Sequence, residues 1–292
     1  MDRLKNDYDF ICSAIKSNPQ LIHASNIKTK YNKENSKENS NSSLFLIIPE
    51  YVLYLREMLE IKAYDEAAVF KKVALLNRYY NFLNTNNLDN AFSSQGKFRS
   101  TILEEFLFLL FKDYVSDIKK REDSENVIDS GAVKAYSNVY FKSKNFKEFI
   151  KSPDFGVNQK DQDYAIYRTF DIAINNGKPL HIRIPAIAIE AKTYIDKTML
   201  DSIIATAEKI KSGNPHALFI AVAEYYDVSY DVDPAYSRID QIYILRKMAR
   251  RAHKWQDIDP NVVWRMFGEI CNHLTRPWSD VETKIKEEGV II

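Results

Sequence analysis

Two alternating apolar runs flank a turn signal in the middle of this 292-residue chain and together predict a β-hairpin. The first run covers residues 164–174, and the second extends from Pro179 to Lys192. The intervening Asn175-Asn176-Gly177 suits a three-residue hairpin loop, because glycine accepts the left-handed conformation at its last position. With that loop, the numbers of paired residues sum to 352. This register places Phe170 opposite Ile182, apolar against apolar.

A bulge is expected in the second strand, because its apolar alternation slips by one residue at Pro185. Proline cannot donate a hydrogen bond to its neighbour, so an irregularity is natural there. Beyond the bulge the paired numbers sum to 353, so Ile166 faces Ile187 and Asp163 faces Glu190. Directly opposed residues share a face with Cβ atoms about 5 Å apart. Two carboxylates are therefore expected to meet at this end of the hairpin.

The second strand ends in Glu190-Ala191-Lys192, which places an acid and an amine on one face. Charges beside a core are costly unless a metal ion or a substrate compensates them. The preceding residues on that face, Ala186 and Ala188, are small and leave room for a metal and a phosphate. Asp163 is the favoured partner acid, and Asp154, which follows Pro153, is the alternative.

The order of elements around the hairpin is helix, at least one earlier strand, the hairpin, helix and strand. The flanking helices are predicted over 96–115 and 199–210, and the last strand over 217–222. Val139 and Phe141 lie in a stretch with a less regular pattern, and Ile239 to Leu245 predicts another short strand. Two helices are expected to close the chain.

The chain is expected to divide near residue 90. Residues 1–90 form a helical N-terminal region, with helices over 1–25 and 44–88. A mobile linker is predicted near 31–43, whose Lys-Glu-Asn-Ser repeat has too few apolar residues to order itself. Residues 91–292 form the second domain.

An αβββαβ order with Glu-x-Lys at a strand end resembles the core of the PD-(D/E)XK nucleases. Residues 163–165, 190–197 and 239–247 are similar to blocks of BbvCI-like restriction endonuclease subunits. The resemblance implies an α/β restriction endonuclease-like fold and a type II restriction endonuclease that cuts one DNA strand per subunit. It also implies a related second subunit in a heterodimer, and a second copy of the chain is the alternative.

The same resemblance implies roles for the site residues. Asp163 and Glu190 would hold Mg²⁺, a cation that prefers carboxylate oxygens and water, and the Ala191 carbonyl could complete the protein ligands. Lys192 would orient or activate the attacking water. Glu105 would supply a helix acid near the metal, and its neighbour Glu104 competes for that role.

The net charge is only +1, so any DNA-binding potential must be local. Helical spacing would place basic residues after β-strand 239–245 on common faces, suited to phosphates. These are Arg246, Lys247, Arg250 and Arg251. Arg168 and Arg183, on the hairpin strands, are further candidates for DNA contact.

The sequence gives little support for other kinds of chemistry. No glycine-rich phosphate loop is present, and two distant cysteines give neither a disulfide framework nor a cysteine zinc site. The polar N-terminus and the absence of a long apolar run predict a cytoplasmic protein that does not enter a membrane. The resemblance to restriction endonucleases implies a prokaryotic one. The alternatives to a restriction enzyme are a repair or mobile-element nuclease of the same fold, and a non-catalytic DNA-binding module.

Overall fold

The structure is a computed structural model that describes residues 2–35, 42–88, 97–123, 127–151, 154–173, 179–250 and 255–289. Five helices come first: α1 Asp2–Ser17, α2 Ile22–Asn35, α3 Ser42–Glu60, α4 Glu66–Thr85 and α5 Lys97–Arg121. The helical character expected for residues 1–25, 44–88 and 96–115 is confirmed over 2–17, 22–25, 44–60, 66–85 and 97–115. The linker expected near 31–43 is wrong for residues 31–35, which belong to α2, and residues 36–41 lie outside the described ranges.

A five-stranded mixed sheet follows, in the spatial order β1-β2-β3-β4-β5. Its strands are β1 Ile128–Lys142, β2 Asp154–Ile172, β3 Leu180–Ile195, β4 Leu218–Tyr226 and β5 Gln241–Ile244. The first three strands are antiparallel, whereas β3, β4 and β5 run parallel. Helix α6 Phe146–Lys151 lies between β1 and β2, and α7 Lys197–Gly213 connects β3 to β4. The predicted αβββαβ order is confirmed.

The register of the hairpin between β2 and β3 is as expected. Phe170 pairs with Ile182, and Ile166 pairs with Ile187. The extra residue is Ala186, next to Pro185, so the predicted bulge is present. The loop residues 175–177 lie outside the described part of the chain.

Strand β1 is longer and more regular than its sequence suggested, because the stretch with Val139 and Phe141 pairs with β2 throughout. A second bulge lies in this pairing. Gly131 pairs with Ala165 and Val133 with Gln162, so Asp163 and its neighbour stand opposite a single residue of β1. Bulges commonly re-aim a side chain beside an active site.

Helices cover both faces of the sheet. On one face α5 packs Phe106 and Phe111 into a core that includes Ile189 and Ile220. On the other face α7 packs Ile203 against Ala188 and residues of β4. The first core continues into α1–α4, so the division at residue 90 stays a prediction.

The segment after β5 is not the helix that was expected. Residues 245–250 form turns, and Lys247 has a left-handed backbone with φ of 51°. Two α-helices and a short π-helix follow: α8 Pro260–Thr275, α9 Val281–Thr283 and Lys284–Glu288. Within the described ranges, every helix is too short or too polar to cross a bilayer.

Candidate active site

Three side chains meet where β2 separates from β3. The ammonium nitrogen Nζ of Lys192 lies 2.8 Å from Glu190 Oε2 and 3.1 Å from Asp163 Oδ2. The same nitrogen lies 3.2 Å from the carbonyl oxygen of Ala191. The structure therefore brings together Asp163, Glu190 and Lys192, whereas Asp154 is the first residue of β2, nine positions away.

The backbone of β3 fixes this cluster. The amide of Ala191 donates a hydrogen bond to Asp163 Oδ2 at 2.8 Å. Because alternate residues of a strand face opposite sides, Ala191 points into the core below α5 while its neighbours carry the charges outward. One carboxylate oxygen of Asp163 thus contacts both the backbone and the ammonium.

Burial and charge act against each other at these residues. Burial raises the pKa of Glu190, the charge of Lys192 lowers it, and Asp163 raises it again, with a net upward direction. Burial lowers the pKa of Lys192, but Asp163 and Glu190 more than offset that effect, so its net direction is also upward. Lys192 is therefore a stable cation between two acids.

On α5, Glu104 interacts electrostatically with the charged cluster. Burial raises the pKa of Glu104 to about 7, with a further contribution from Asp163, while Lys192 and a hydrogen bond from Ser100 lower it. These interactions place the Glu104 side chain within electrostatic reach of the charged cluster.

Glu105, which the resemblance had implied, points elsewhere, and that expectation is wrong. Its side chain is buried among the N-terminal helices, where it accepts hydrogen bonds from the Ala24 amide at 3.0 Å and the Tyr51 hydroxyl at 2.7 Å. Burial raises its pKa to about 7. Glu105 therefore joins the helices together and does not face the cluster.

The donor set fits a hard divalent cation. Oxygens of Asp163, Glu190 and Ala191 already converge on one positive charge, the ammonium of Lys192. The described residues contain no group of three or more His, Cys, Asp or Glu side chains suited to a metal. Two carboxylates and one carbonyl, with water completing the shell, match Mg²⁺, which usually keeps several waters.

Residues 95–282 match the family model of the Bpu10I restriction endonuclease. This segment is more than half of the 292-residue chain, and it contains Asp163, Glu190 and Lys192. The chain belongs to the Bpu10I restriction endonuclease family. The sequence-based assignment to restriction endonucleases is thereby confirmed.

A solved structure supports the fold. The chain resembles the structure described as the native BbvCI A2B2 tetramer at low resolution, with a TM-score of 0.67 and 20% sequence identity. The match covers 88% of this chain and 95% of that chain. At this identity the likeness shows the fold, the predicted restriction endonuclease-like α/β architecture. A comparison with curated protein sequences gives no significant match.

In this Bpu10I-family chain, Arg246 is not available to DNA, contrary to expectation. Its side chain is fully buried, and its Nε donates to Glu224 Oε2 at 2.8 Å. Arg99 of α5 forms a second ion pair with Glu224 at 3.0 Å. The guanidinium of Arg246 also lies 3.9 Å from the ring centre of Trp255. Arg246 therefore holds the turn after β5 against the core.

The other basic candidates are distributed along the surface. Lys247 is exposed and forms an ion pair with Asp259, and Arg251 lies outside the described residues. Arg168 is exposed on β2, and Arg183 is partly buried on β3.

Arg250 acquires a neighbour that the sequence did not reveal. Its guanidinium lies 3.7 Å from the ring centre of Tyr194, two residues beyond Lys192 on the same strand. Lys160, also missed, lowers the pKa of Glu190 through its charge. Tyr194 lies two residues after Lys192, on the same face of β3, so the sequence could have identified it. The proximity of Lys160 to Glu190 depends on the bulge at Asp163.

Proposed function

We propose that this chain is a subunit of a type II restriction endonuclease that hydrolyses a DNA phosphodiester in the presence of Mg²⁺. The observation that carries the proposal is the convergence of Asp163, Glu190 and the Ala191 carbonyl on the Lys192 ammonium. Two acids, one amine and one carbonyl are sufficient to bind a cation and to orient a water molecule. Family membership supplies the reaction class.

Each residue then has a distinct task in hydrolysis. When bound by Asp163, Glu190 and the Ala191 carbonyl, Mg²⁺ supplies a positive charge that polarises the scissile phosphate. Lys192 donates hydrogen bonds that orient the attacking water and stabilise the negative charge gained by the phosphate. A P–O bond forms to the water oxygen, the P–O bond to the leaving sugar oxygen breaks, and a proton from water ends on that oxygen.

Glu104 is proposed as a positioning residue. Its charge interacts with Asp163, Lys192 and Glu190, so its carboxylate acts on the ammonium from the α5 side of the cluster. Groups that orient a ligand or catalytic side chain typically contribute about 10- to 100-fold to activity. Glu104 thereby takes the place that sequence reasoning had given to Glu105.

Arg250 is proposed as a phosphate contact next to the cut position. Its guanidinium is exposed, and stacking on Tyr194 holds it beside the strand that carries Lys192. Arginine in this arrangement keeps its donors free to reach a phosphate oxygen. A contact there would fix the DNA backbone relative to the cluster.

Duplex cleavage requires a second active site, because one cluster of this kind acts on one strand. We propose that the second site belongs to a related subunit in a heterodimer. The similar solved structure is described as an A2B2 tetramer, which is consistent with two kinds of subunit in that protein. A homodimer is the alternative.

The direct test is incubation of plasmid DNA with Mg²⁺ and this chain, alone and with the product of the neighbouring reading frame. Discrete fragments from the mixture are expected, and nicked circles are expected when the chain carries Glu190→Gly or Lys192→Glu. DNA binding should persist in both variants. Unchanged cutting of both strands would refute the site, a smear without discrete fragments would indicate a non-specific nuclease, and absence of any cleavage would indicate a binding module.

A further inference from the structure

Strands β1 and β2 extend beyond the rest of the sheet as a two-stranded ribbon. Strand β3 pairs with β2 only from Tyr164 to Ile172, whereas Asp154 to Gln162 pair only with β1. The ribbon is defined here as Val133–Lys142 with Asp154–Gln162, joined through the tip residues 143–151. Ten residues at about 3.3 Å each give it a length of roughly 30 Å, close to one turn of duplex DNA.

The base of the ribbon is anchored beside the active site. The residue after the ribbon is Asp163, whose carboxylate oxygen Oδ2 lies 3.1 Å from the Lys192 ammonium. Helix α7 supports the base so closely that a Cβ on Gly213 would lie 1.9 Å from the Ser137 carbonyl oxygen. A substrate at the cluster would therefore lie next to a ribbon whose base is fixed by its packing against α7.

The ribbon carries an excess of positive charge. Residues 133–162 contain six lysines and three acids, which gives a local net charge of +3. Since the whole chain has a net charge of +1, the remaining residues together carry −2. The lysines are Lys134, Lys142, Lys144, Lys147, Lys151 and Lys160. The ribbon is thus one segment in which a near-neutral chain has the local positive potential that DNA binding requires.

Apolar side chains accompany these lysines. Val139 pairs with Val157 and Phe141 with Phe155, so all four lie on one face of the ribbon. Phe141 of β1 and Phe146 of α6 are each 74% exposed, so the described part of the chain leaves them largely uncovered. A two-stranded ribbon is marginally stable by itself, which indicates that this one acts with a partner.

We propose that this partner is the DNA duplex flanking the scissile phosphate, and that the ribbon is a DNA-binding arm. Lysines are depleted from protein–protein interfaces, whereas phosphate binding requires them. The major groove admits a two-stranded β-ribbon, and exposed aromatic rings can stack on bases or wedge between them. The proposal rests on the proposed nuclease function and adds where the substrate lies on the protein.

Salt-dependent binding provides the first test. The triple variant Lys144→Ala, Lys147→Ala, Lys151→Ala removes three exposed tip lysines. Binding of a duplex of about 30 base pairs is measured without Mg²⁺ in increasing salt. Three lost phosphate contacts should reduce the slope of log K against log salt by about 2.7. The matched triple variant Lys5→Ala, Lys16→Ala, Lys71→Ala removes the same charge from exposed helical positions and should leave the slope unchanged.

Photo-crosslinking distinguishes DNA from a protein partner. A photoreactive phenylalanine analogue at position 146, in the complete assembly with the same duplex, should crosslink to DNA. An unchanged salt slope in the tip variant, or crosslinks exclusively to another protein chain, would overturn the proposal. Failure of the nuclease assignment has a different signature, since the complete assembly would then leave plasmid DNA uncut in the presence of Mg²⁺, whatever the ribbon binds.

Discussion

The carboxylate of Asp163 accepts a hydrogen bond from the Ala191 amide at 2.8 Å, across the hairpin from one strand to the next. This contact links the bulge in β2 to the backbone between Glu190 and Lys192. The same oxygen also contacts the Lys192 ammonium. The position of one acid is therefore coupled to the positions of both other charged groups.

Replacing Asp163 should abolish cleavage while preserving the fold. Asp163→Asn retains a side-chain oxygen that can accept from Ala191 but removes the negative charge available to a cation. We expect cleavage of one strand to fall about a thousandfold or more, with a melting temperature close to that of the parent chain. Asp201→Asn, at an exposed position of α7, serves as the control, and Asp154→Asn tests the alternative acid; both variants should still cut. Loss of activity in Asp154→Asn alone would reverse the assignment.

Lys192→Met should separate catalysis from substrate binding. The variant keeps the length of the side chain but removes the ammonium that contacts Asp163 and Glu190. Single-turnover cleavage should slow about 100- to 1,000-fold because the donor to the transition state is lost. The control Lys197→Met alters an exposed lysine paired with Asp201 and should cut at the parent rate. Equal rates in the two variants would contradict the proposed role.

The adjacent pair Glu104 and Glu105 allows an internally matched comparison. Glu104→Gln should lower cleavage about 10- to 100-fold with little change in stability, because it alters only the surroundings of the charged cluster. Glu105→Gln should instead lower the free energy of unfolding by about 1–3 kcal/mol, since its amide NH₂ cannot accept from the Ala24 amide or the Tyr51 hydroxyl, and one of these hydrogen bonds is lost or must reverse its direction. Cleavage by the folded fraction and urea unfolding measure the two effects. The reverse pattern would restore Glu105 to the site.

The register of the hairpin could be predicted because the signals that determine it lie close together in the sequence. A turn signal, two apolar alternations and a proline specify the register from Ile172 to Tyr164. The next residue, Asp163, then lies within hydrogen-bonding distance of the Ala191 amide. A one-residue slip would have moved every apolar side chain to the wrong face, so few registers were possible. The role of α5 needed tertiary contacts, because neighbouring helix positions differ by about 100° and only Ala24 and Tyr51 show which glutamate turns inward.

The basic segment after β5 illustrates what the sequence could not reveal. Arg246 belongs to a buried network with Glu224, a residue 22 positions earlier, and with Arg99 on a different helix. No spacing rule connects these residues. Likewise β1 was hard to recognise, because its last five residues, 138–142, are all exposed and have no buried face to impose alternation.

The buried pair His23 and Glu105 predicts an unusual pH dependence of stability. Burial lowers the pKa of His23 to about 3 and raises that of Glu105 to about 7. Between about pH 4.5 and about pH 6.5 the unfolded chain binds a proton at the histidine, and the folded chain binds one at the glutamate. The two contributions to the free energy of unfolding have opposite slopes and cancel. Burial raises the pKa of the neighbouring Tyr51 and Tyr79, which therefore stay neutral.

Glu105→Gln should expose the contribution of His23. Relative to the parent chain, its free energy of unfolding should fall by up to about 1.4 kcal/mol for each pH unit of acidification in that window. His23→Gln removes the contribution of the histidine and retains that of Glu105. The stability of this variant relative to the parent should therefore rise on acidification. Urea unfolding at several pH values measures both differences. Parallel profiles for all three proteins would show that the two groups do not titrate as inferred.

Arg246→Met should destabilise the fold without directly touching the active site. The substitution leaves the buried carboxylate of Glu224 with Arg99 as its remaining ion-pair partner and removes the guanidinium that contacts Trp255. Removing one member of a buried ion pair typically costs about 3–5 kcal/mol, and the second arginine should keep the loss near the lower value. The exposed Arg238→Met, whose partner Glu208 lies 3.7 Å away, should change stability by less than about 1 kcal/mol. If Arg246→Met were as stable as the parent but bound DNA more weakly, Arg246 would have to leave its buried position to reach the phosphate backbone.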